Sequence, residues 1–189
     1  GVVTDAVAKA AGVPATVVRR AVMLGGRLDV VAAVALEGGR EALAEIGLEV
    51  GRPVQPMLAS TAQSVGEAVA ELGLAAVEWK LDGIRIQGHR QGDDVRVWTR
   101  NLNEITERVP GVVAAVRSLP AQRLVLDGEA LALDGTGRPL LFQDTVSDRD
   151  GDDLRPFFFD LVLDDGHDLI DAPLAERRER LAEVAGTWQ

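Results

Sequence analysis

The feature that most constrains the fold is a change in hydrophobic period at residues 51–59, GRPVQPMLA. In residues 4–50, Ala, Val and Leu recur at three- and four-residue spacings with glycines at the breaks, which is typical of short helices. After residue 59, short apolar or alternating runs are separated by Asp-Gly and Gly-Asp pairs, which favour turns between antiparallel strands. Pro53 and Pro56 disfavour a helix between the two regions. The pattern predicts an α+β protein with a domain boundary at 51–59.

The runs after the boundary predict individual strands and helices. The strands expected are VEWKL (77–81), IRIQGHR (84–90), VRVWTR (95–100), RLVLDGEALAL (123–133) and RPFFFDLVL (155–163). The helices expected are near 64–72, over 103–118 with a bend or a break at Pro110, and over 173–185. The acidic segment 144–153 is expected to be a mobile loop.

The composition indicates a soluble protein, because 26% of the residues are charged and no apolar run approaches the roughly 18 residues of a membrane span. The first residues lack the pattern of a signal peptide. The absence of cysteine excludes a disulfide framework and fits a reducing cytoplasm. His89 and His167 are far apart, form no metal-ligand pattern, and are expected at the surface or in loops.

The formal net charge of −10 argues against a general nucleic-acid-binding protein. The net negative charge comes from residues 124–189, which carry six Lys/Arg and sixteen Asp/Glu. A polyanion could still contact Arg19, Arg20 and Arg27, or the arginines between residues 85 and 123. The same arginines equally fit an ordinary solvated surface.

Lys80 is unusual because the chain has 20 Lys and Arg residues but only two lysines, Lys9 and Lys80. If Asp82-Gly83 forms a two-residue hairpin turn, Lys80 faces Arg85 on the neighbouring strand. A facing cation would favour the neutral amine, which a lysine nucleophile requires and which an arginine cannot provide. A surface lysine in an ordinary hairpin is the alternative interpretation.

The segment Lys80–Arg85, KLDGIR, resembles the Lys-x-Asp-Gly-x-Arg signature of the covalent nucleotidyltransferases, which include ATP-dependent DNA ligases, RNA ligases and mRNA capping enzymes. Further segments resemble later ligase motifs in the same order: WTRNLNEITERVP (98–110), LVLDGEALAL (124–133) and RPFFFDLVLDDG (155–166). The stretch PVQPMLA (53–59) resembles the start of the ligase adenylation domain. Bacterial ATP-dependent DNA ligases fit best, because the preceding helical stretch is similar to the end of their DNA-binding domain.

The resemblance implies a domain organisation. Residues 1–50 would be the C-terminal part of a helical DNA-binding domain, and 51–59 the linker and start of the adenylation domain. Residues 60–189 would be an incomplete, antiparallel-sheet adenylation domain of the ATP-grasp-like nucleotidyltransferase type. We expect the chain to be part of a ligase, because it ends before the family's later lysine-bearing and metal-binding motifs.

The resemblance also implies the residues that act on the nucleotide. Lys80 would attack the α-phosphate of ATP and form lysyl-AMP. Glu78 would contact the adenine, and Phe159 would stack on it.

Arginines and a carboxylate would hold the rest of the nucleotide. Arg85 and Arg100 would bind ribose or phosphate oxygens. Glu129 would contact the ribose and bind Mg²⁺, which offsets charge on the phosphates. Asp127 and Asp134 are instead expected in turns. Five further residues are expected to have no role in binding the nucleotide. Three are solvated arginines, Arg90, Arg96 and Arg108, and two are aromatic residues of the core, Phe157 and Phe158.

The function implied is that of an ATP-dependent DNA ligase, which transfers AMP to the 5′-phosphate of nicked double-stranded DNA and seals the nick with the 3′-hydroxyl. We expect a cytoplasmic monomer that serves replication, repair or recombination, with no membrane partner. An RNA ligase or a capping-type guanylyltransferase is one alternative. A non-catalytic nucleic-acid-binding module is the other.

Overall fold

The computed structural model describes residues 1–57, 59–140 and 153–186. The helices are α1 (Val2–Ala11), α2 (Ala15–Gly25), α3 (Leu28–Ala44), α4 (Val65–Leu72), α5 (Pro110–Ser118) and α6 (Leu174–Ala185), with a 3₁₀ turn at Thr106–Arg108. The strands are β1 (Ile84–Gln91), β2 (Asp94–Thr99), β3 (Arg123–Ala132), β4 (Leu154–Asp164) and β5 (His167–Asp168). The acidic segment expected at 144–153 lies outside the described residues except for Asp153.

The strands form one antiparallel sheet in the order β2-β1-β3-β4-β5. This confirms the α+β class and four of the predicted strands. The helices expected near 64–72 and 173–185 are present as α4 and α6. Of the helix expected over 103–118, only the part from Pro110 onward is α-helical, as α5. Ser64 begins α4 by accepting a hydrogen bond from the backbone N–H of Glu67 at 3.1 Å, which satisfies a donor that the helix cannot.

One face of the sheet carries the core. Alternate residues of β1 to β4 pack there against the apolar sides of α5 and α6, because side chains of a strand alternate between the two faces. The buried members include Ile86, Val97, Leu126, Leu161, Val112, Val116, Leu181 and Val184. Each such side chain stabilises the fold by about 1.5–3 kcal/mol through its removal from water. The opposite face, the second face of the sheet, is therefore left for other contacts.

The helices α1, α2 and α3 form a separate cluster of small apolar residues. Its buried members are Ala8, Val18, Ala21, Val31, Ala35 and Leu43. This confirms the helical prediction for residues 4–50, although α3 is kinked at Gly39, whose φ of 58° lies in the left-handed region.

Residues 51–55 connect the helical cluster to the second face of the sheet. The Gln87 side chain donates to the carbonyl of Val54 at 2.9 Å and accepts from its N–H at 2.7 Å. The N–H of Gly51 donates to Nδ1 of His89 at 3.0 Å. On the other side, the N–H of Gln55 donates to the carbonyl of Met23 in α2 at 3.3 Å. The segment is therefore bonded to both parts of the chain.

The expectation that His89 lies at the surface is wrong. Its side chain is 1% exposed, and its ring packs edge-on against Trp98 with centroids 4.6 Å apart. Burial lowers the pKa of His89 to about 4. His89 lies in the strand predicted at 84–90, but the local pattern did not reveal that residues 51–54 cover its side chain. His167, in contrast, is exposed as expected.

Arg90 is also not solvated. Its side chain donates to the carbonyl of Leu119 at the end of α5, at 2.5 Å, and to the carbonyl of Gly92 in the turn between β1 and β2, at 2.8 Å. A cation at a helix C-terminus is favourable, because the carbonyls there lack partners within the helix. Arg96 and Arg108 are exposed as expected.

Residues 77–81 do not form the predicted strand. From Ile86 onward, β1 is bonded to β2 at one edge and to β3 at the other, so neither edge can accept a further strand. The apolar residues Leu74, Val77 and Trp79 stay exposed, and α4 buries none of its residues.

Within the described ranges, no helix is both long and apolar enough to cross a membrane.

We expect His89 to make folding pH-dependent. The pKa of His89 is lowered to about 4 in the folded state from 6.5, so below pH 6.5 the unfolded chain binds the proton more readily. The stabilisation is complete above pH 6.5 and is lost as the pH falls towards 4, by about 3 kcal/mol in total. Urea unfolding from pH 7 to pH 4 should show a smaller loss for His89→Gln than for the unmodified protein.

His167→Gln is the matched control, because it makes the same change at an exposed position. It should keep the pH dependence of the unmodified protein. Equal pH dependence in all three proteins would contradict the role of His89.

Candidate functional site

Glu129 lies on the second face of β3, opposite Arg85 of β1. Its Oε1 accepts a hydrogen bond from the backbone N–H of Gly83 at 3.0 Å. A Cβ at position 83 would lie 2.3 Å from the carbonyl oxygen of Ala130, so only glycine lets the backbone approach β3 this closely. The close approach places the end of the segment 80–83 beside Glu129.

Lys80 precedes this contact and extends into solvent. Its side chain is 84% exposed, and its Nζ lies 3.3 Å from Oδ1 of Asp82. Burial raises the pKa of Glu129, whereas the Gly83 N–H and the charges of Arg85 and Lys80 act to lower it. The positive charge of Lys80 therefore favours the ionised form of Glu129.

The hairpin that would place Lys80 opposite Arg85 is not formed. Arg85 instead pairs in register with Glu129 of β3. Because Gly83 lies against β3, the chain does not reverse at Asp82-Gly83. The two cations expected to face each other each bond to an aspartate, Lys80 to Asp82 and Arg85 to Asp127.

Asp127 is not the turn residue that was expected. It lies in the middle of β3, and its carboxylate binds Arg85 through two hydrogen bonds, Nε to Oδ1 at 3.0 Å and Nη2 to Oδ2 at 2.6 Å. Burial raises the pKa of Asp127 although Arg85 opposes this, and the bond to Asp127 raises the pKa of Arg85. The alternation of side chains along a strand could have identified Asp127, because residues 127 and 129 lie on the same face. Asp134 does form a turn, where it accepts from the N–H groups of Thr136 and Arg138.

Phe159 lies beside the Arg85 guanidinium, with Cζ 5.4 Å from the ring centroid. In the pairing of β3 with β4, Asp127 is opposite Asp160 and Gly128 is opposite Phe158. Phe159 is therefore the extra residue of a β-bulge, a feature that turns a side chain away from the regular alternation. Phe158 packs against the core cluster as expected.

Arg100 follows β2 and is exposed. It lines a small depression together with Arg85, Asp127, Thr99 and Pro56. The structure thus brings Arg100 close to the pair formed by Arg85 and Asp127.

Glu78 contacts helix α6 rather than the residues around Arg85. Its carboxylate contacts the guanidinium of Arg178 in α6. Because residues 77–81 form no strand, Glu78 and Lys80 do not share a strand face as the sequence suggested.

Mg²⁺ prefers oxygen ligands and keeps several from water or substrate. In the part of the chain that the structure describes, no three His, Cys, Asp or Glu side chains form a metal cluster. The site fits such an ion only if one carboxylate, that of Glu129, is joined by oxygens of a bound phosphate compound.

The fold and the site define an α+β domain that gathers cations and a carboxylate on one face of an antiparallel sheet. A family model described as the ATP-dependent DNA ligase domain matches residues 56–187. A probable DNA ligase of Saccharopolyspora erythraea is 53% identical over 98% of this chain and 37% of its own length. Another, from Rhodococcus opacus, is 53% identical over 98% of this chain and 38% of its own. The chain belongs to the ATP-dependent DNA ligase domain family.

The chain spans less than two fifths of the length of these relatives. Among solved structures, the ligase domain of LigD from M. tuberculosis is 29% identical, with a TM-score of 0.48 over 56% of this chain and 35% of that one. Family membership rests on the sequence matches.

We expect Gly83→Ala to destabilise the fold. The added methyl would lie 2.3 Å from the Ala130 carbonyl oxygen and 2.5 Å from Cδ2 of Leu131, so the segment must move and lose its bond to Glu129. Such overpacking costs about 1–3 kcal/mol, measurable as the free energy of urea unfolding.

The control is Gly135→Ala, because nothing lies within 4 Å of a Cβ at that position. It should change the unfolding free energy by less than about 0.5 kcal/mol. A result in which Gly83→Ala is as mild as Gly135→Ala would show that the close approach is not required.

Proposed function

We propose that this chain is the part of an ATP-dependent DNA ligase that accepts AMP from ATP. Nζ of Lys80 releases a proton to solvent and attacks the α-phosphorus, a nitrogen–phosphorus bond forms with loss of a second proton, and the bond to the departing pyrophosphate breaks. An oxygen of the 5′-phosphate at a DNA nick then displaces Lys80, which regains a proton. The 3′-hydroxyl finally attacks that 5′-phosphate and expels AMP. Splitting the synthesis in this way replaces one difficult step by easier ones.

The observation that carries the proposal is the position of the segment 80–83. It is the first part of the Lys-x-Asp-Gly-x-Arg motif at residues 80–85, which lies within the residues 56–187 that match the ligase family model. Its Gly83 donates a hydrogen bond to Glu129 of the later motif. Lys80 is exposed, so a nucleotide can reach it. Asp82 lies 3.3 Å from its Nζ.

The charged groups around Lys80 would hold the nucleotide. Glu129 would bind the ribose and, with phosphate oxygens, Mg²⁺, which would neutralise charge on the phosphates during transfer. Arg100 would donate to phosphate or ribose oxygens, and Arg85 would do so with the N–H groups that Asp127 leaves free. These roles are supported by the proximity of Arg85 to Glu129 and of Arg100 to Arg85.

The adenine would be held by Phe159 and Glu78. Arg85 lies over one side of the Phe159 ring, so the base would stack on the other. Glu78 would have to leave Arg178 in order to contact the base.

The domain organisation is proposed with the function. Residues 1–50 would be the end of a helical DNA-binding domain, 51–59 the linker and start of the adenylation domain, and 60–189 part of that domain. The separate apolar cluster of α1 to α3 and the extended linker support this division.

Contact with nicked DNA would require the arginines of the helical part to exchange partners. Each of three is paired with an aspartate: Arg19 with Asp5, Arg20 with Asp171 and Arg27 with Asp29. Exposed pairs of this kind contribute little stability, so phosphate groups could replace the carboxylates. A monomeric, cytoplasmic enzyme of replication, repair or recombination stays a prediction.

The test is incubation of the intact protein with labelled ATP and Mg²⁺. We expect an acid-labile, base-stable adduct that is lost completely in Lys80→Ala. It should also be lost in Lys80→Arg, because arginine stays protonated and has no lone pair for attack.

Lys9→Ala is the matched control, since Lys9 is the only other lysine and is exposed in α1. It should label as the unmodified protein does. Labelling that persists in Lys80→Ala, or that requires GTP rather than ATP, would overturn the proposal.

A further inference from the structure

Arg85 does not bond to the carboxylate directly across from it. Arg85 and Glu129 are opposite each other in the antiparallel pairing of β1 and β3. Opposite charges at such positions normally pair, because their Cβ atoms are only about 4.5–5.5 Å apart. Arg85 instead reaches diagonally to Asp127, two residues along β3.

Two contacts fix Arg85 in this diagonal position. The edge of the guanidinium makes two hydrogen bonds to Asp127, and its Cζ lies 5.4 Å from the Phe159 ring centroid. Both side chains of the ion pair are shielded, with Arg85 31% and Asp127 17% exposed. A planar guanidinium held at its edge and over a ring loses much of its freedom before any ligand binds.

Glu129 bonds to the backbone rather than to Arg85. Its Oε1 accepts from the N–H of Gly83, which ties the Lys80 segment to β3. Arg85 and Glu129 are nevertheless directly opposite each other in the register, so the two side chains are near enough to pair if Asp127 is removed. Glu129 would then be neutralised by a cation of its own chain.

We propose that Asp127 is a positioning residue that keeps Arg85 away from Glu129. Asp127 thereby leaves the Glu129 carboxylate available to Gly83 and to the nucleotide, and directs the remaining N–H groups of Arg85 outward. This inference rests on the proposed function, because the nucleotide is the ligand for which Glu129 is kept available.

The first test measures pairing without activity. Arg85→Gln, Glu129→Gln and the double variant are compared by urea unfolding, once with Asp127 intact and once together with Asp127→Asn. With Asp127 intact, the shifts of the two changes should add except for a small coupling, because Arg85 and Glu129 are neighbours that bond to other groups rather than to each other. With Asp127→Asn they should not add, because Arg85 then pairs with Glu129. Additive shifts in both series, or equal coupling in both, would overturn the proposal.

The second test measures self-adenylation of the intact protein. Asp127→Asn keeps the shape of the side chain and removes its charge, and it should raise the KM for ATP about 10- to 100-fold, the scale expected when a binding group is displaced. In protein that already carries Arg85→Gln, Asp127→Asn should raise the KM for ATP much less. An unchanged KM, or an equal effect in both backgrounds, would overturn the proposal.

Asp94→Asn is the matched control, because Asp94 pairs with Arg96 at an exposed position away from the site. It should leave the KM unchanged. The double variant Arg85→Gln with Asp127→Asn replaces the ion pair by two amides, so it remains measurable if Asp127→Asn alone fails to fold. Absence of any adduct in the unmodified protein would refute the proposed function instead, and the unfolding series would still test the role of Asp127.

Discussion

The pairing of β1 with β3 is the interaction on which the rest of the structure depends. Their paired residues are between 46 and 32 positions apart in the chain, from Ile84↔Ala130 at one end to Gln91↔Arg123 at the other. Their antiparallel register brings Arg85 beside Asp127 and Glu129 on one face, and Ile86 beside Leu126 in the core on the other. The same register allows Gly83 to continue along β3 and reach Glu129. Stability and the candidate site thus follow from one set of backbone hydrogen bonds.

The second face of the sheet carries polar side chains that bind other parts of the chain, beside buried apolar ones such as Trp98 and Val125. Gln87 and His89 use it to bind the backbone of residues 51–54, and Arg85, Asp127 and Glu129 use it to form the site. Buried polar groups are tolerated only when they are hydrogen-bonded, because each unpaired group costs about 1–3 kcal/mol. The groups on this face meet that requirement through bonds to residues distant in sequence. Replacing one partner would therefore leave another unsatisfied.

Much of the fold could be predicted from local patterns. The change of period at 51–59 predicted a helical part followed by a sheet, and four strands and the three later helices were found where the runs indicated, although the α-helix expected over 103–118 begins only at Pro110. The strand expected at 77–81 was wrong, because an apolar run and an Asp-Gly pair cannot show that both edges of β1 are already bonded. His89 and Arg90 were expected in solvent for a similar reason. The segments that cover them, 51–54 and the end of α5, are far away in sequence.

The sequence by itself determined the chemistry that the site can offer. A lysine in the motif Lys-x-Asp-Gly-x-Arg and a glutamate in a later LDGE segment are readable from residue types and order, and they identify the family. Only the tertiary structure decided which charges pair. Arg85 could bond to Glu129 or to Asp127 on the strand next to it, and the sequence assigned Asp127 to a turn. The choice of Asp127 depends on the register of β1 and β3 and on the bulge that brings Phe159 beside the guanidinium. Both are long-range contacts, which are set by the packing of the whole sheet rather than by any local pattern.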